Sequence, residues 1–197
     1  GRFVITNPIP EVFKPKEFSV TVTSSEEEVI YGDKVNLEAH IRNESSEDIL
    51  NGWLTVIWHE QGDPSPWNWT YKAEISGINV RAGETVKVKI EPIQVNYPGH
   101  FIVGLSRERM PWKPYNQREF LAYGLKGFTK VYYPWENYSI SISTDKPYYF
   151  RGETVNFSLI VSNKIPIGWK IKIKYKGEEK EVELPPYGNS KLSFSHQ

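Results

Sequence analysis

The side chains of this sequence that could do chemistry do not form a recognisable catalytic pattern. The four histidines, His40, His59, His100 and His196, stand singly, and no His-Glu-x-x-His zinc motif occurs. No Gly-x-Ser-x-Gly elbow positions a serine nucleophile, and no glycine-rich phosphate loop is present. The chain contains no cysteine, which excludes thiol catalysis and cysteine zinc sites. We therefore expect a protein that is not an enzyme and that needs no metal or cofactor.

Two acidic clusters could supply oxygen ligands to a calcium ion. They lie at residues 26–28 and 44–48. Clusters of this kind also occur in solvated turns, and the sequence favours that interpretation.

Four asparagines lie in Asn-x-Ser/Thr sequons, which accept N-linked glycans in secreted proteins. They are Asn43, Asn68, Asn137 and Asn156. Asn43 and Asn68 fall in predicted turns, whereas Asn156 lies within a predicted strand and should face outward. The sequons predict a glycosylated protein of the cell surface.

Aromatic side chains are frequent, and some of them could contact sugars. Trp67 and Trp69 lie in a loop with Tyr71, and an exposed indole face can stack on a carbohydrate ring. Packing of these rings within the loop is the favoured alternative.

The composition excludes several partners. Lysine and arginine balance aspartate and glutamate at 24 each, so the formal net charge is zero. A neutral chain is not expected to bind nucleic acid or an anionic membrane. No stretch reaches the roughly 18 apolar residues of a membrane span. We expect an extracellular location at the cell surface.

The secondary-structure elements that carry these residues should all be β-strands, because apolar and polar residues alternate with a period of two almost throughout. Val35, Leu37 and Ala39 alternate with polar residues, as do Ile171 and Ile173. Strands are predicted near 18–23, 34–42, 53–60, 71–79, 85–91, 100–107, 126–133, 138–144, 154–162, 169–176, 178–184 and 190–195.

An internal repeat organises these strands. Residues 18–23 match residues 138–143, and residues 32–43 match residues 152–163, both at an offset of 120. This predicts an extended segment at 1–17, a first β-sandwich at 18–134 and a second at 135–197. Trp53 and Trp169 each follow a glycine at the start of a strand, and both are predicted to lie in the core.

Residues 143–157 resemble the opening of macroglobulin-like and other bacterial-type immunoglobulin-like modules. The motif is Asp145-Lys146-Pro147, then a tyrosine, then Gly152-Glu153-Thr154-Val155 before an alternating strand. Residues 95–103 resemble the Pro-Gly turn and strand of cell-adhesion-related (CARDB-like) domains of prokaryotic surface proteins. The resemblance implies two tandem immunoglobulin-like β-sandwiches. It does not imply the macroglobulin thioester, which requires a cysteine.

The second copy has no counterpart for the last strands of the first, so its sheet edge should be open. Residues 1–8 and 127–134 share a glycine, six residues of mostly high β-propensity and a proline. The first of these segments could therefore be a closing strand that is donated to another copy. Phe3 and Ile5 would point one way, and Val4 and Thr6 the other.

The leading hypothesis is a non-enzymatic subunit of a surface filament that assembles head to tail with copies of itself. This architecture resembles that of archaeal thread-like and bundling pili built by donor-strand complementation. Two alternatives stay open. The chain could be a tandem adhesion or spacer fragment of a larger surface protein, or a carbohydrate-binding accessory module.

Overall fold

The computed structural model describes residues 17–62, 69–110 and 120–196, and these residues form an all-β protein. One 3-10 turn, Pro134–Glu136, lies between β9 and β10, and the described ranges contain no α-helix. They therefore include no helix with the length and apolar character needed to cross a membrane. The strands are β1 Phe18–Ser24, β2 Val29–Ile30, β3 Lys34–Asn43, β4 Ile49–Glu60, β5 Trp69–Val80, β6 Thr85–Gln94, β7 Gly99–Ser106, β8 Ala122–Phe128, β9 Val131–Tyr132, β10 Tyr138–Thr144, β11 Val155–Asn163, β12 Trp169–Tyr175, β13 Glu178–Leu184 and β14 Asn189–His196.

In the N-terminal half, residues 17–134, two antiparallel sheets face each other. One has the order β1-β3-β6, and the other has the order β5-β4-β7-β8. The apolar side chains that alternate along these strands form one buried cluster, which includes Val20, Val35, Leu54, Val56 and Phe101. This is the arrangement that period-two strands with one apolar face produce.

The strand β8 closes the N-terminal half against β1. Gly124 lies so close to β1 that a Cβ atom at this position would be 2.5 Å from the carbonyl oxygen of Val20. The absence of a side chain therefore lets β8 cover Val20 and Val22. After β8 the chain forms β9, which pairs in parallel with β2 through Val131 and Tyr132.

The closing strand that the sequence predicts at 126–133 is displaced from the observed one. Pairing with β7 begins at Ala122 and ends at Phe128, and the exposed residues Thr129 and Lys130 separate β8 from β9. The two glycines of β8, at positions 124 and 127, weaken the alternation that the sequence signal depends on. The close approach of β8 to β1, which needs Gly124, is a tertiary requirement that a local pattern does not report.

Gly124→Ala is expected to lower the free energy of unfolding by about 1–3 kcal/mol, because the added methyl group would overlap backbone atoms of β1. Gly127→Ala is the matched control on the same strand. The nearest atom to a Cβ at Gly127 lies 4.0 Å away, so this variant should unfold at the parent's denaturant midpoint or slightly above it. Equal midpoints for the two variants would contradict close packing of β8 on β1.

In the C-terminal half, residues 135–196, the described strands form two smaller sheets. One has the order β10-β11-β14, and the other is the hairpin β12-β13. Their buried cluster consists of Leu159, Val161, Val182, Leu184 and Phe194. Within these residues, no strand occupies the places that β7 and β8 take in the N-terminal half.

The two tryptophans that follow a glycine differ in their surroundings. Trp169 is half-buried: it packs against the buried cluster of the C-terminal half and also lines an open groove, so the predicted core position is met only in part. Trp53 is only half-buried and lies under the Arg109 guanidinium at 5.8 Å. The prediction of a core position for Trp53 was therefore wrong.

A buried asparagine locks the same corner in both halves and gives the repeat a physical basis. Asn43 donates from Nδ2 to the carbonyl oxygens of Glu47 and Val80, at 2.7 and 3.1 Å. Asn163 donates in the same way to Ile167 and Pro185, at 2.8 Å each. Positions 43 and 163 are related by the offset of 120, so the repeat extends to hydrogen-bond geometry.

A carboxylate that accepts a hydrogen bond from an asparagine side chain also occurs in both halves. Glu26 accepts a hydrogen bond from the Asn36 side chain at 3.1 Å, and Asp145 accepts one from Asn156 at the same distance. Partial burial acts to raise the pKa of Glu26, but hydrogen bonds from Ser24, Asn36 and Ser25 outweigh it and lower the pKa to about 2. The Tyr149 hydroxyl, which donates to Asp145, lowers the pKa of that carboxyl group as well.

This geometry predicts a stability change at acidic pH. The folded-state pKa of Glu26 lies below its unfolded value of 4.5, so its contribution is complete above pH 4.5 and is lost as the pH falls towards about 2. Glu26→Gln should therefore flatten the decline of the urea midpoint as the pH is lowered through this range. Glu27→Gln, at a neighbouring exposed residue, should retain the parent's decline. An unchanged slope in Glu26→Gln would contradict the hydrogen-bonded carboxylate.

Candidate functional site: an open apolar groove

Two side chains that are buried in the N-terminal half are exposed at the equivalent positions of the C-terminal half. Val20 and Val22 on β1 are 7% and 6% exposed. Their equivalents on β10, Ile140 and Ile142, are 48% and 67% exposed. Both strands are the first of their half and pair with the next long strand in the same register. The difference arises because β8 covers β1, whereas no described strand covers β10.

A free sheet edge lies opposite these isoleucines. The strand β4 pairs with β5 on one side and with β7 on the other, whereas β12 pairs with β13 alone among the described residues. In an antiparallel pair, alternate backbone groups of each strand point away from the partner. Alternate N–H and C=O groups of β12 are thus directed towards open space and can accept an additional strand.

Ile140, the residues before it and the free edge of β12 form one groove of about 310 Å³, and Ile142 lies two residues farther along β10. The walls come from the start of β10 and from the inner face of β12. The lining is mostly apolar and comprises Pro134, Trp135, Tyr138, Ile140, Trp169, Ile171, Lys172 and Ile173. The cavity at the corresponding place in the N-terminal half has about 220 Å³ and is bounded by β8 and the residues that precede it, Phe120 to Tyr123.

The side chains of β12 alternate between an apolar inner face and a charged outer face. Lys170, Lys172 and Lys174 on the outer face form ion pairs with Glu179 and Glu181 of β13, at 3.0–3.1 Å. The hydrogen bond from Lys170 and its positive charge lower the pKa of Glu181, and Glu181 raises the pKa of Lys170. These pairs are exposed and contribute little stability. Ile171 and Ile173 lie on the inner face because they pack against the buried cluster of the C-terminal half.

An aromatic cluster lies at the end of the groove that adjoins the N-terminal half. The ring of Tyr31 contacts those of Tyr97, Tyr133 and Trp135 at centroid distances of 6.1, 5.7 and 5.2 Å. Burial raises the pKa of Tyr133, and the nearby Tyr97, Glu136 and Glu60 act in the same direction. Below the rings, Ile30 and Tyr132 pack against Ile165 of the C-terminal half. The two halves therefore share an apolar junction.

Several residues that the sequence singled out lie outside the described ranges. These are the donor-strand residues Phe3, Val4, Ile5 and Thr6, the carbohydrate-contact residue Trp67 and the sequon residue Asn68. Trp69, the second carbohydrate-contact residue, begins β5. The proposals that concern these side chains stay predictions.

The three described sequon asparagines differ in accessibility. Asn43 is fully buried, and its Nδ2 atom makes the two hydrogen bonds described above, so the folded protein does not present it to a glycan. The sequence places Asn43 in a turn, whereas its backbone ends β3 just before the turn and its side chain points inward to lock that turn. Asn137 is half-buried and donates to the carbonyl oxygen of Tyr133, whereas Asn156 is exposed.

The described histidines and carboxylates do not assemble into a metal site. No group of three His, Asp or Glu side chains within these ranges could hold a metal ion. His40 bonds to Glu38 at 2.7 Å, and the rings of His59 and His100 lie 5.0 Å apart on neighbouring strands. Burial lowers the pKa of His100, and the charge of His59 lowers it further.

Comparison with known proteins gives distant structural likenesses only. No family model matches the sequence, and no curated protein matches it. The sporulation control protein Spo0M from Bacillus subtilis has a TM-score of 0.39 and 9% identity, over 91% of this chain and 90% of that one. Red sea bream transglutaminase has a TM-score of 0.35 and 12% identity, over 89% of this chain and 26% of the enzyme.

A β-glucosidase from Listeria innocua, in complex with isofagomine, has a TM-score of 0.37 and 17% identity. The match covers 59% of this chain and 16% of the enzyme. Because all three TM-scores are below 0.5, these likenesses carry no argument about the present chain. Its function has to be argued from the groove.

Proposed function

We propose that this chain is a non-enzymatic, extracellular structural protein that assembles head to tail into a surface filament by β-strand donation. Its two halves are tandem immunoglobulin-like sandwiches with boundaries at 18–134 and 135–197, and the second sandwich is completed by a strand from another copy. The donated strand lies within the segment 1–17 and includes Phe3, Val4, Ile5 and Thr6. Asn137 and Asn156 are candidate glycan acceptors on the filament surface.

The observation that carries this proposal is the exposure of Ile140 and Ile142 at positions whose equivalents, Val20 and Val22, are buried. Leaving two isoleucines about half exposed or more on one strand forgoes roughly 1–3 kcal/mol of burial free energy. A strand along the free edge of β12 would recover this energy and would satisfy the open backbone groups. It would also cover the inner faces of Ile171 and Ile173.

Chain direction determines how the copies would be arranged. In the N-terminal half, the covering strands start beside Phe18 and Val20 and finish at β9, next to Ile30. A segment that takes the course of β8 and β9 through the groove would start beside Tyr138, run parallel to β12 and finish near Phe150. Residue 17 of the donor would then lie beyond the Phe150 end of the acceptor. The first sandwich of the donor would therefore follow the second sandwich of the acceptor along the same axis. A contact that joins different surfaces of successive copies does not close and produces a filament.

The same open edge is compatible with a second candidate, a tandem spacer within a longer surface protein. In that case the covering strands would come from sequence that follows residue 197, and the segment 1–17 would have no role in the groove. The carbohydrate-binding alternative has no described geometry in its favour, because Trp67 lies outside the described residues.

Electron microscopy and sedimentation of the purified chain test the proposal. The parent chain is expected to form filaments, and deletion of residues 1–10 is expected to leave monomers. A variant that carries the same ten residues in scrambled order serves as the control, because it retains length and composition but loses the alternation of Phe3 and Ile5 with Val4 and Thr6.

Filaments that persist after the deletion, or that form equally well with the scrambled segment, would overturn strand donation by residues 1–17. A parent chain that stays monomeric at all concentrations, while its deletion variant behaves identically, would favour the spacer.

A further inference from the structure

The end of the C-terminal half that faces away from the N-terminal half carries an exposed apolar patch. Tyr148 and Phe150 are 70% and 71% exposed, and their rings contact each other at 6.2 Å in an edge-to-face geometry. We call these two residues the far-end patch. Large exposed aromatic side chains that lie side by side are typical of interaction surfaces.

The internal repeat shows what covers the corresponding position in the N-terminal half. Phe150 is equivalent to Ile30 at the offset of 120, and Ile30 is buried against Tyr132 and Ile165. Tyr132 belongs to β9, and Ile165 belongs to the turn at the entry of the next half. The far-end patch is therefore the position at which the entry turn of a following sandwich would dock.

We infer that the far-end patch of one copy binds the next copy at the turn 44–48, which we call the entry turn, and at Leu50, which follows this turn. This inference rests on the proposed function and adds a second contact to the donated strand. Leu50 is 67% exposed at the start of β4, directly after the turn 44–48. Ser45 stands where the C-terminal half has Ile165, and Leu50, two residues after the turn, is the exposed apolar side chain nearest to it in sequence that could reach Tyr148 and Phe150.

Chain continuity brings these two surfaces together. The amide of Glu44 donates to the carbonyl oxygen of Glu17 at 2.7 Å, so Glu17, the first described residue, lies beside the turn 44–48. The equivalent bond in the C-terminal half, from Lys164 to Asn137, is 2.9 Å long. A donor whose segment enters the groove from the far end would thus place its own entry turn against the far-end patch.

Charges at the two surfaces are compatible with this contact. Arg151 follows Phe150, is exposed and forms no ion pair with any residue of the described ranges. The entry turn carries Glu47, whose side chain is 73% exposed while it pairs with Arg107 at 2.9 Å. Arg151 can approach this carboxylate in the assembled state. Such a rim pair would contribute to orientation more than to affinity.

Disulfide trapping tests the contact cleanly because the natural chain contains no cysteine. Two full-length variants, Leu50→Cys and Phe150→Cys, are mixed in equal amounts and oxidised mildly. A disulfide requires Cα atoms within about 7 Å, so only a direct contact is captured. We expect cross-linked dimers that contain one copy of each variant, at least about tenfold more abundant than dimers of either variant alone. The matched control mixes Phe150→Cys with Leu125→Cys, since Leu125 is also exposed but lies on the outer face of β8.

The outcomes separate this contact from strand donation itself. If the mixed dimers are no more abundant than in the Leu125→Cys control, while a synthetic peptide of residues 1–16 still binds the groove, the far-end contact is wrong and strand donation stands. If the peptide does not bind and no mixed dimers form, both proposals fail. If mixed dimers form without peptide binding, the contact stands and the donated strand has to be sought elsewhere in the chain.

Discussion

Replacing Ile142 with aspartate is expected to leave the free energy of unfolding of the isolated chain within about 0.5 kcal/mol of the parent value, because this side chain is 67% exposed. The same replacement at the equivalent position, Val22→Asp, is expected to cost at least about 3 kcal/mol, because it places an unpaired charge in a packed core. Chemical denaturation of the two variants, each with residues 1–10 deleted to prevent assembly, provides the measurement.

Assembly should show the opposite order of effects. In the full chain, Ile142→Asp would place a carboxylate beneath the donated strand and is expected to abolish filaments, although the subunit remains folded. The variant Ile142→Val is the conservative control and should assemble. If Ile142→Asp destabilised the isolated chain as strongly as Val22→Asp does, β10 would already be covered within one copy, and the account of an open groove would be wrong.

The second large effect concerns the two buried asparagines. Asn43→Ala and Asn163→Ala should each lower the free energy of unfolding by about 2–4 kcal/mol, because each leaves two carbonyl oxygens without their donor in a buried corner. Asn189→Ala, at an exposed position of β14, is the control and should change the value by less than about 0.5 kcal/mol. Thermal unfolding monitored by circular dichroism compares the three variants.

A loss below about 1 kcal/mol in both buried variants would show that water replaces the amide at little cost, which would contradict the buried corner. If Asn43→Ala caused a large loss of unfolding free energy and Asn163→Ala did not, the C-terminal half would already be loosened when its groove is empty. Adding the peptide of residues 1–16 should then increase the sensitivity of the C-terminal half to Asn163→Ala.

Strand positions could be predicted from the sequence wherever one face of the strand is buried. The alternation at Val35, Leu37 and Ala39 predicted β3, and the alternation at Ile171 and Ile173 predicted β12, because period two reports a half-buried strand directly. The closing strand β8 was misplaced because its position depends on the contact between Gly124 and Val20, which is distant in sequence.

The candidate site was only partly predictable. The repeat indicated that the C-terminal half would have an open edge, since β7 and β8 had no counterpart in the sequence of the second copy. The repeat did not indicate which side chains would be exposed. Ile140 and Ile142 alternate with polar residues just as Val20 and Val22 do, so the pattern of the exposed pair is the same as that of the buried pair. The pairing of Tyr148 with Phe150 follows from the turn after β10, which has no periodic signal.

Asn43 shows a different limit of prediction from sequence. A sequon reports a local sequence that a glycosylation enzyme can read, and turn residues are usually exposed. The side chain of Asn43 instead points inward and replaces missing backbone hydrogen bonds at the corner. The equivalence of Asn43 with Asn163, visible in the repeat, was the signal that could have indicated a structural role.

Hydrogen exchange along β12 tests most directly whether the groove accepts the N-terminal segment. The chain without residues 1–10 is exchanged with and without a synthetic peptide of residues 1–16. We expect alternate amides between Trp169 and Tyr175, which have no partner strand among the described residues of the isolated chain, to exchange at least about tenfold more slowly when the peptide is saturating, while β6 at the edge of the other half is unchanged. Amides of β12 that exchange at the same rate with and without the peptide would contradict it.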